Sequence, residues 1–387
     1  MRHSFSGESP PEIFISAGES SGDLHGSHLA RAIWSITPGA RLSCLGGPRM
    51  QAEGVPVVVD NRSISVVGVS ELAGHIRAIY GAWRRIRAHL LATRPSVVVL
   101  IDFPDFNLFL GKFAKKIGAK VFYYISPQVW GWREGRVNKI RRLVDRMAVI
   151  LPFEKDFYAA RGMEVDYVGH PLVDTMADAP DKARCYRLYR DFSGPLVGLL
   201  PGSRKNEINL LFDILMDTAQ IISRSLPAAR FIIPVAPSLD AWEVENRAAR
   251  WSLPLRVVPD DTHGVIRACD LILTASGTVT LEAAILETPM IVLYKVARLS
   301  RRIGLLLIRV KLVGLPNVIA GKKIVPEFVE EEPTAPRLAE CAIGLLSDPR
   351  LLDAQRRELG RIHGLLGDPG ISGRVARLVL DTAEAAR

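Results

Sequence analysis

Short runs rich in β-branched residues alternate with longer amphipathic stretches along the chain. EIFISA (12–17) enters a Gly/Ser turn and then LHGSHLARAIW, RLSCLGG (41–47) precedes PRMQAEG, and SVVVLID (96–102) precedes FNLFLGKFAKKIG. KVFYYIS (120–126) and RMAVIL (146–151) follow, the latter before FEKDFYAARG. The short runs are apolar on both faces rather than at every second position. Strands of that kind are covered on both sides, so the pattern predicts a parallel sheet between helices, an α/β doubly wound fold.

The pattern then restarts. PLVGLLPGS (195–203), RFIIPVA (230–236), LRVVPDD (255–261), DLILTAS (270–276) and PMIVLYK (289–295) predict five strands of a second sheet. Between the halves lies MADAPDKARCYRLYRDFSG (176–194), polar and without strand character, which puts the boundary near residue 173. The reading is two Rossmann-like domains, 1–173 and 174–369, facing a cleft, with residues 370–387 forming a helix that packs back on the first. Ligands bind open parallel sheets at the carboxyl ends of strands, so candidate chemistry is sought just after the strands.

Composition narrows the partners. The 387 residues carry a net charge of +9, which favours phosphorylated substrates, an acidic membrane face or nucleic acid. No nucleic-acid-binding module is visible, so nucleic acid is not expected. Cys44, Cys185, Cys269 and Cys341 lie far apart, which points to neither a zinc site nor a disulfide framework and suits a reducing cytoplasm. The first residues, MRHSFSGESPPE, lack an apolar signal core. IGLLLIRVKLVGL (303–315) is broken by Arg309 and Lys311, so no transmembrane helix is expected. Residues 74–94 form a basic amphipathic helix, with Ile76, Ile79, Trp83, Ile86 and Leu90 as its stripe and Arg77, Arg84, Arg85 and Arg87 around it. Residues 297–311 are similar, and both suit either an anionic lipid surface or a core-facing helix with a solvated basic face.

Several turns could carry chemistry. In LLPGSRKNEINLL (199–211), Gly202 and Ser203 stand where a strand hands over to a helix, and Arg204 follows. Backbone N–H groups at a helix N-terminus favour a phosphate, and an arginine adds a charge-assisted fork. The ATP-type loop G-x-x-x-x-G-K-[S/T] is absent. A second such turn, Ser276-Gly277-Thr278, is followed by Glu282, a carboxylate suited to ribose hydroxyls. Alternatively, Ser276 is a plain N-cap and Glu282 a solvated helix residue. Together the two turns suggest a nucleoside diphosphate. In the first half, SAGESSGDLHG (16–26) places Gly18, Glu19, Ser20, Gly22 and Asp23 on a turn suited to sugar hydroxyls or to a tight structural role. Asp102 ends a buried strand in LIDFPDFN (100–107) and is the favoured general base, with Asp105 and Asn107 beyond it; alternatively, Asp105 caps the next helix and Asp102 braces the turn. YYISPQVWGWREGRV (123–137) suits a sugar or acyl chain, or the packing of a long loop, and His170 stands near the boundary.

AGESSGD, GGPRMQAEG, IDFPDFN, SPQVWGWREGRV, LPFEKDFY, VGHPLVD, LPGSRKNEI, ASGTVTLE and LPNVIAG, in this order from about residue 13 to 340, resemble the lipid-A-disaccharide synthases, Gram-negative glycosyltransferases of the two-domain GT-B type. The resemblance implies inverting transfer of 2,3-diacylglucosamine from UDP to 2,3-diacylglucosamine 1-phosphate, giving a β-1,6-linked disaccharide phosphate and UDP. No metal or other cofactor is implied. The family's essential aspartate falls on Asp102 and its essential arginine on Arg204. Gly202, Ser203, Arg204, Ser276, Gly277, Thr278 and Glu282 carry over as UDP contacts, and Gly18 to Asp23 as the acceptor side. Glu330 stands where the family usually has glutamine near the donor. The implied place is the cytoplasmic face of the inner membrane, peripherally bound. Other GT-B enzymes, such as a muramyl-lipid glycosyltransferase or a UDP-sugar 2-epimerase, or a non-catalytic nucleotide- or lipid-binding protein, would share the fold and stay open at this point.

Overall fold

The computed structural model describes residues 10–64, 72–132, 134–177, 179–237, 239–295, 312–329 and 333–386. The basic stretch 297–311, with Arg309 and Lys311, and Glu330 lie outside the described residues. The chain forms two units, one of residues 1–174 together with 367–387, the other of residues 175–366.

The first unit holds seven strands: β1 (Glu12–Ala17), β2 (Arg41–Gly46), β3 (Val57–Asp60), β4 (Val97–Ile101), β5 (Lys120–Tyr124), β6 (Arg146–Val149) and β7 (Asp166–Tyr167). All pairs are parallel, in the order β3-β2-β1-β4-β5-β6-β7. All five residues of β4 are buried, and Ala17 at the end of β1 stands opposite Ile101 at the end of β4. Continuous runs such as VVVLI belong in the middle of such a sheet, because both faces lie under helices.

The second unit repeats the plan with β8 (Leu196–Leu200), β9 (Arg230–Val235), β10 (Leu255–Pro259), β11 (Leu271–Ala275), β12 (Met290–Tyr294) and β13 (Glu327–Val329). Its order is β10-β9-β8-β11-β12-β13, again parallel throughout. The five expected strands are present, and β13 is a sixth. β3 and β7 are likewise additions to the first sheet. All three additions have four residues or fewer, too short to display a period.

Two helices carry the C-terminus and the basic face. The helix Ile371–Glu384 packs on the helix Ser20–Ile36 within the first unit. Asp174 caps it by accepting from the N–H of Gly370 at 2.6 Å and of Ser372 at 3.3 Å. Arg374 Nε reaches the Val168 carbonyl at 3.0 Å. The helix Leu72–Thr93 buries Ile86 and Leu90 completely in the core, with Ile79 and Trp83 packed beside them. Its described apolar stripe is therefore spent inside the unit, and Arg77, Arg84, Arg85 and Arg87 point out. The helix thus faces the core with its described apolar stripe and presents a solvated basic face outward. Among the described residues no helix is long and apolar enough to cross a membrane.

The half-buried His25 and the buried His170 lie near each other in the first unit. The His170 Nδ1 accepts from the N–H of Leu172 at 3.2 Å, which requires that nitrogen to be unprotonated. Burial pushes His25 down from 6.5 to about 4, with His28 adding repulsion. Burial, then His25, pushes His170 down to about 3. A base whose folded value is depressed contributes stability that is complete above its unfolded value and is lost as pH falls through the window towards the folded value. That window runs from 6.5 to about 4 for His25. Denaturant unfolding at pH 7 and pH 5 is expected to show the protein losing about 2 kcal/mol more than its His25→Gln variant over that interval. The difference between the two proteins cancels the titration of other groups. Equal losses in both would mean that His25 is protonated in the folded state.

Candidate active site

In both sheets the strand order reverses between two central neighbours, β1 and β4 in the first and β8 and β11 in the second. Successive crossovers leave for opposite faces there, so the strand ends stay uncovered and form the natural ligand crevice of an open α/β sheet. The candidate turns stand at these two points. Gly18 to Asp23 follow β1 and Asp102 follows β4, while Gly202 to Arg204 follow β8 and Ser276 to Thr278 follow β11.

The turn after β4 is strained. Asp102 and Phe103 have φ of 45° and 47°, a left-handed conformation that non-glycine residues adopt at a cost of about 1–2 kcal/mol each. Buried polar groups hold it there. The Asp102 carbonyl accepts from Asn107 Nδ2 at 2.7 Å and from the Tyr123 hydroxyl at 2.8 Å. Asn107 is fully buried, also reaches the Ile101 carbonyl at 3.1 Å, and accepts from Ser16 Oγ at 2.6 Å. The backbone is thus fixed by three elements. Burial raises the Asp102 carboxyl above its ordinary value, the charge of Glu19 adds to the rise, and the Phe103 N–H partly opposes it. A carboxylate shifted towards neutrality is better matched to taking a proton near physiological pH.

The Gly-rich turn is locked to the same place. A Cβ on Gly18 would lie 2.2 Å from the Phe103 ring, so only glycine lets the two turns meet. Glu19 and Ser20 are exposed, Gly22 is buried, and the helix begins at Ser20. Asp23 departs from its expected acceptor role. It is only 2% exposed, and it accepts from the backbone N–H groups of Gly47 at 2.7 Å, Arg49 at 2.9 Å and Met50 at 3.3 Å. Its carboxylate holds the 47–50 turn, which is the structural role the sequence left open for this segment. His170 is also structural, as its buried ring accepts from its own loop.

A cavity of about 240 Å³ opens beside Asp102. Its wall includes Pro104, Ile125, Ser126, Gln128, Arg136 and Glu154. Ile125 has φ of 64°, exceptional for a β-branched residue, and strain of that kind concentrates at functional sites. Arg136 pairs with Asp105 at 2.7 Å. Burial pushes Glu154 up to about 7, against the N–H groups of Leu151 at 2.9 Å and Ile150 at 3.2 Å, which favour its charged form. The Trp130 indole N–H lies near the same carboxyl without reaching full hydrogen-bond geometry.

In the second unit, Gly202 has φ of 113° and opens the helix Lys205–Ser225. Glu207 was not anticipated as a site residue. Its carboxylate accepts from the N–H of Ser203 at 3.2 Å and of Arg204 at 3.4 Å, and pairs with the Arg204 guanidinium at 3.1 Å. These are the donors an anion would use. The spacing Arg-x-x-Glu across a helix start, the Glu at N3, is the signal that could have found it. After β11, Ser276 Oγ donates to the Val313 carbonyl at 3.2 Å, while Gly277 and Thr278 are exposed. Glu282 is not a solvated helix residue. It sits 3.3 Å from His263 Nε2, which that contact pushes towards the protonated form.

The solved structures that this chain resembles share this plan. UDP-GlcNAc 2-epimerase from Neisseria meningitidis bound to UDP-GlcNAc aligns with a TM-score of 0.64 at 11% identity, covering 96% of this chain and 100% of that one. A glycosyltransferase of kitacinnamycin aligns with a TM-score of 0.60 at 16% identity, covering 97% and 100%. At such identities the likeness shows the fold alone, and that fold is the GT-B class with its two Rossmann-like domains. Sequence narrows the class. The family model described as Lipid-A-disaccharide synthetase matches residues 13–360. Lipid-A-disaccharide synthase of Geobacter metallireducens is 42% identical over 95% of this chain and 96% of its own. That of Nitrosococcus oceani is 40% identical over 97% of each. The chain belongs to the lipid-A-disaccharide synthase family and is a hexosyltransferase of lipid A biosynthesis.

Proposed function

We propose that the reaction transfers 2,3-diacylglucosamine from its UDP carrier to the 6-hydroxyl of 2,3-diacylglucosamine 1-phosphate, with inversion and release of UDP. The observation that carries this reading is the contrast between the two sheet reversals. One bears a carboxyl with a raised pKa, Asp102, and the other bears backbone donors and a guanidinium at a helix start. Asp102 takes the proton of the attacking hydroxyl as it reaches the anomeric carbon. The N–H groups of Ser203 and Arg204, with the Arg204 guanidinium, receive the negative charge that develops on the leaving diphosphate. Gly202 keeps the backbone open to that close approach. Ser276, Gly277, Thr278 and Glu282 hold the rest of the nucleotide, with Glu282 on the ribose hydroxyls. The exposed Glu19 and Ser20, beside Gly18 and Gly22, face the acceptor.

Asp102→Asn is expected to lower disaccharide formation by about 10²–10⁴-fold while UDP affinity stays unchanged. Mass spectrometry of the lipid products, with calorimetry of UDP, checks both, and a near-wild-type rate would remove Asp102 from the mechanism. Equal turnover of N-acetylated donors without a second acyl chain would favour a muramyl-type transferase instead.

Glu207 and a diphosphate draw on the same donors, so the carboxylate must give way as the nucleotide enters. Glu207→Gln keeps an acceptor at the helix start but removes the charge. UDP is expected to bind this variant about 2–10-fold more tightly, the effect of one partly exposed like charge. Weaker binding would mean that Glu207 stays in place and orients Arg204.

Diacylated substrates lie in a bilayer, and we infer peripheral association with an anionic membrane surface through the outward arginines of the helix Leu72–Thr93. Co-sedimentation with anionic vesicles is expected to fall at high salt and with Arg84→Glu/Arg85→Glu. Binding indifferent to both would exclude this face.

A further inference from the structure

We propose that the cavity beside Asp102 seats the sugar ring of the acceptor and that Arg136 takes the acceptor's phosphomonoester, displacing Asp105. The proposal rests on the reading of Asp102 as the base.

Size comes first. About 240 Å³ is room for roughly eight waters at about 30 Å³ each. That is below the usual range of pockets for drug-sized molecules. It suits one pyranose ring. Asp102 and Arg136 both line this space, so one ring can offer a hydroxyl to the carboxyl and an anion to the guanidinium.

Charge comes second. Among the described residues, three ionisable side chains line the cavity: Asp102, Glu154 and Arg136. Burial shifts both carboxyls towards their neutral forms, Glu154 to about 7. The Glu154 carboxylate oxygen is further engaged by two backbone N–H groups. The planar guanidinium of Arg136 is the anion-seeking group among these three.

Availability comes third. Arg136 is held by Asp105, whose side chain is 81% exposed. A pair facing water contributes little to stability. A phosphomonoester offers a bidentate, more highly charged partner in the same position, and planar guanidinium groups favour such partners. The rest of the wall is braced independently of that exchange, since Ser126 Oγ donates to the Pro127 carbonyl at 3.0 Å and also meets the buried Tyr158 hydroxyl.

The test compares the 1-phosphorylated acceptor with its dephosphorylated counterpart in the full-length enzyme. Arg136→Gln is expected to raise KM for the phosphorylated acceptor about tenfold or more, as for loss of a charge-assisted bidentate contact, and to leave KM for the neutral acceptor and for the donor unchanged. Arg136→Lys is expected to recover part of the loss. Asp105→Asn frees the guanidinium and is expected to lower KM for the phosphorylated acceptor alone, by about two- to threefold for one exposed ion pair. Equal losses on both acceptors in Arg136→Gln, or a raised KM in Asp105→Asn, would overturn the proposal. Should Arg136→Gln fail to fold, judged by its melting temperature and UDP affinity, Asp105→Asn decides alone. If Asp102→Asn keeps full turnover while the Arg136 variants still discriminate the two acceptors, the base assignment falls and the phosphate subsite stands.

Discussion

The reversal of strand order in the middle of each sheet is the constraint on which the rest depends. Parallel strands must be joined by right-handed crossovers. When the order runs outward in both directions from a central pair, the helices on the two sides leave on opposite faces. The carboxyl ends of β1 and β4, and of β8 and β11, are therefore the places where backbone groups are not covered by the next helix. Any residue placed there reaches a ligand without disturbing the core, which sits in the buried middle of the sheets. In open sheets of this kind, ligand sites gather at such reversals because the topology leaves backbone groups uncovered there.

The chain meets its two reversal points in opposite ways. At the first it bends non-glycine residues into the left-handed region and fixes them from behind with Asn107 and Tyr123. The penalty of about 1–2 kcal/mol per residue is offset by buried hydrogen bonds worth about 1 kcal/mol each. The outcome is a carboxyl with a rigid backbone and a raised pKa. At the second point glycine supplies the left-handed residue, so little strain is stored, and the exposed N–H groups are answered by Glu207. A carboxylate that satisfies those donors is also a measure of how well the turn suits an anion.

Much of this was legible in the sequence because the central strands are buried on both faces. Residues 97–101 are a run of consecutive apolar side chains and 271–275 are apolar but for the buried Thr274, and such runs have no ready alternative reading in an α/β pattern. The edge strands were not legible, since two to four residues cannot show a period and β3 and β13 are only partly buried. Among candidate residues, Asp102 could be singled out because position at a strand end is a sequence property. Asp23 could not be told from a ligand-facing acid, because the amides it caps lie more than twenty residues away. The pairings Glu282–His263 and Arg136–Asp105 are likewise tertiary. Glu207 was different: its partners are local, and the N3 spacing already carried the information.

Fold and family make separate claims, and the identities separate them. The Neisseria meningitidis epimerase keeps this architecture at 11% identity over nearly the whole chain. The sheets thus tolerate almost any apolar sequence of suitable volume, and the fold by itself fixes no chemistry. The 42% shared with the Geobacter metallireducens enzyme over 95% of this chain is far more than the architecture demands. The surplus identity needs another cause, and a common reaction supplies one, since a reaction constrains the turns that the fold leaves free. On this scaffold the residues free to vary with the reaction are those at the reversal points, where side chains leave the core undisturbed. In this chain those are a strained aspartate at one and a glycine-opened, arginine-bearing helix start at the other.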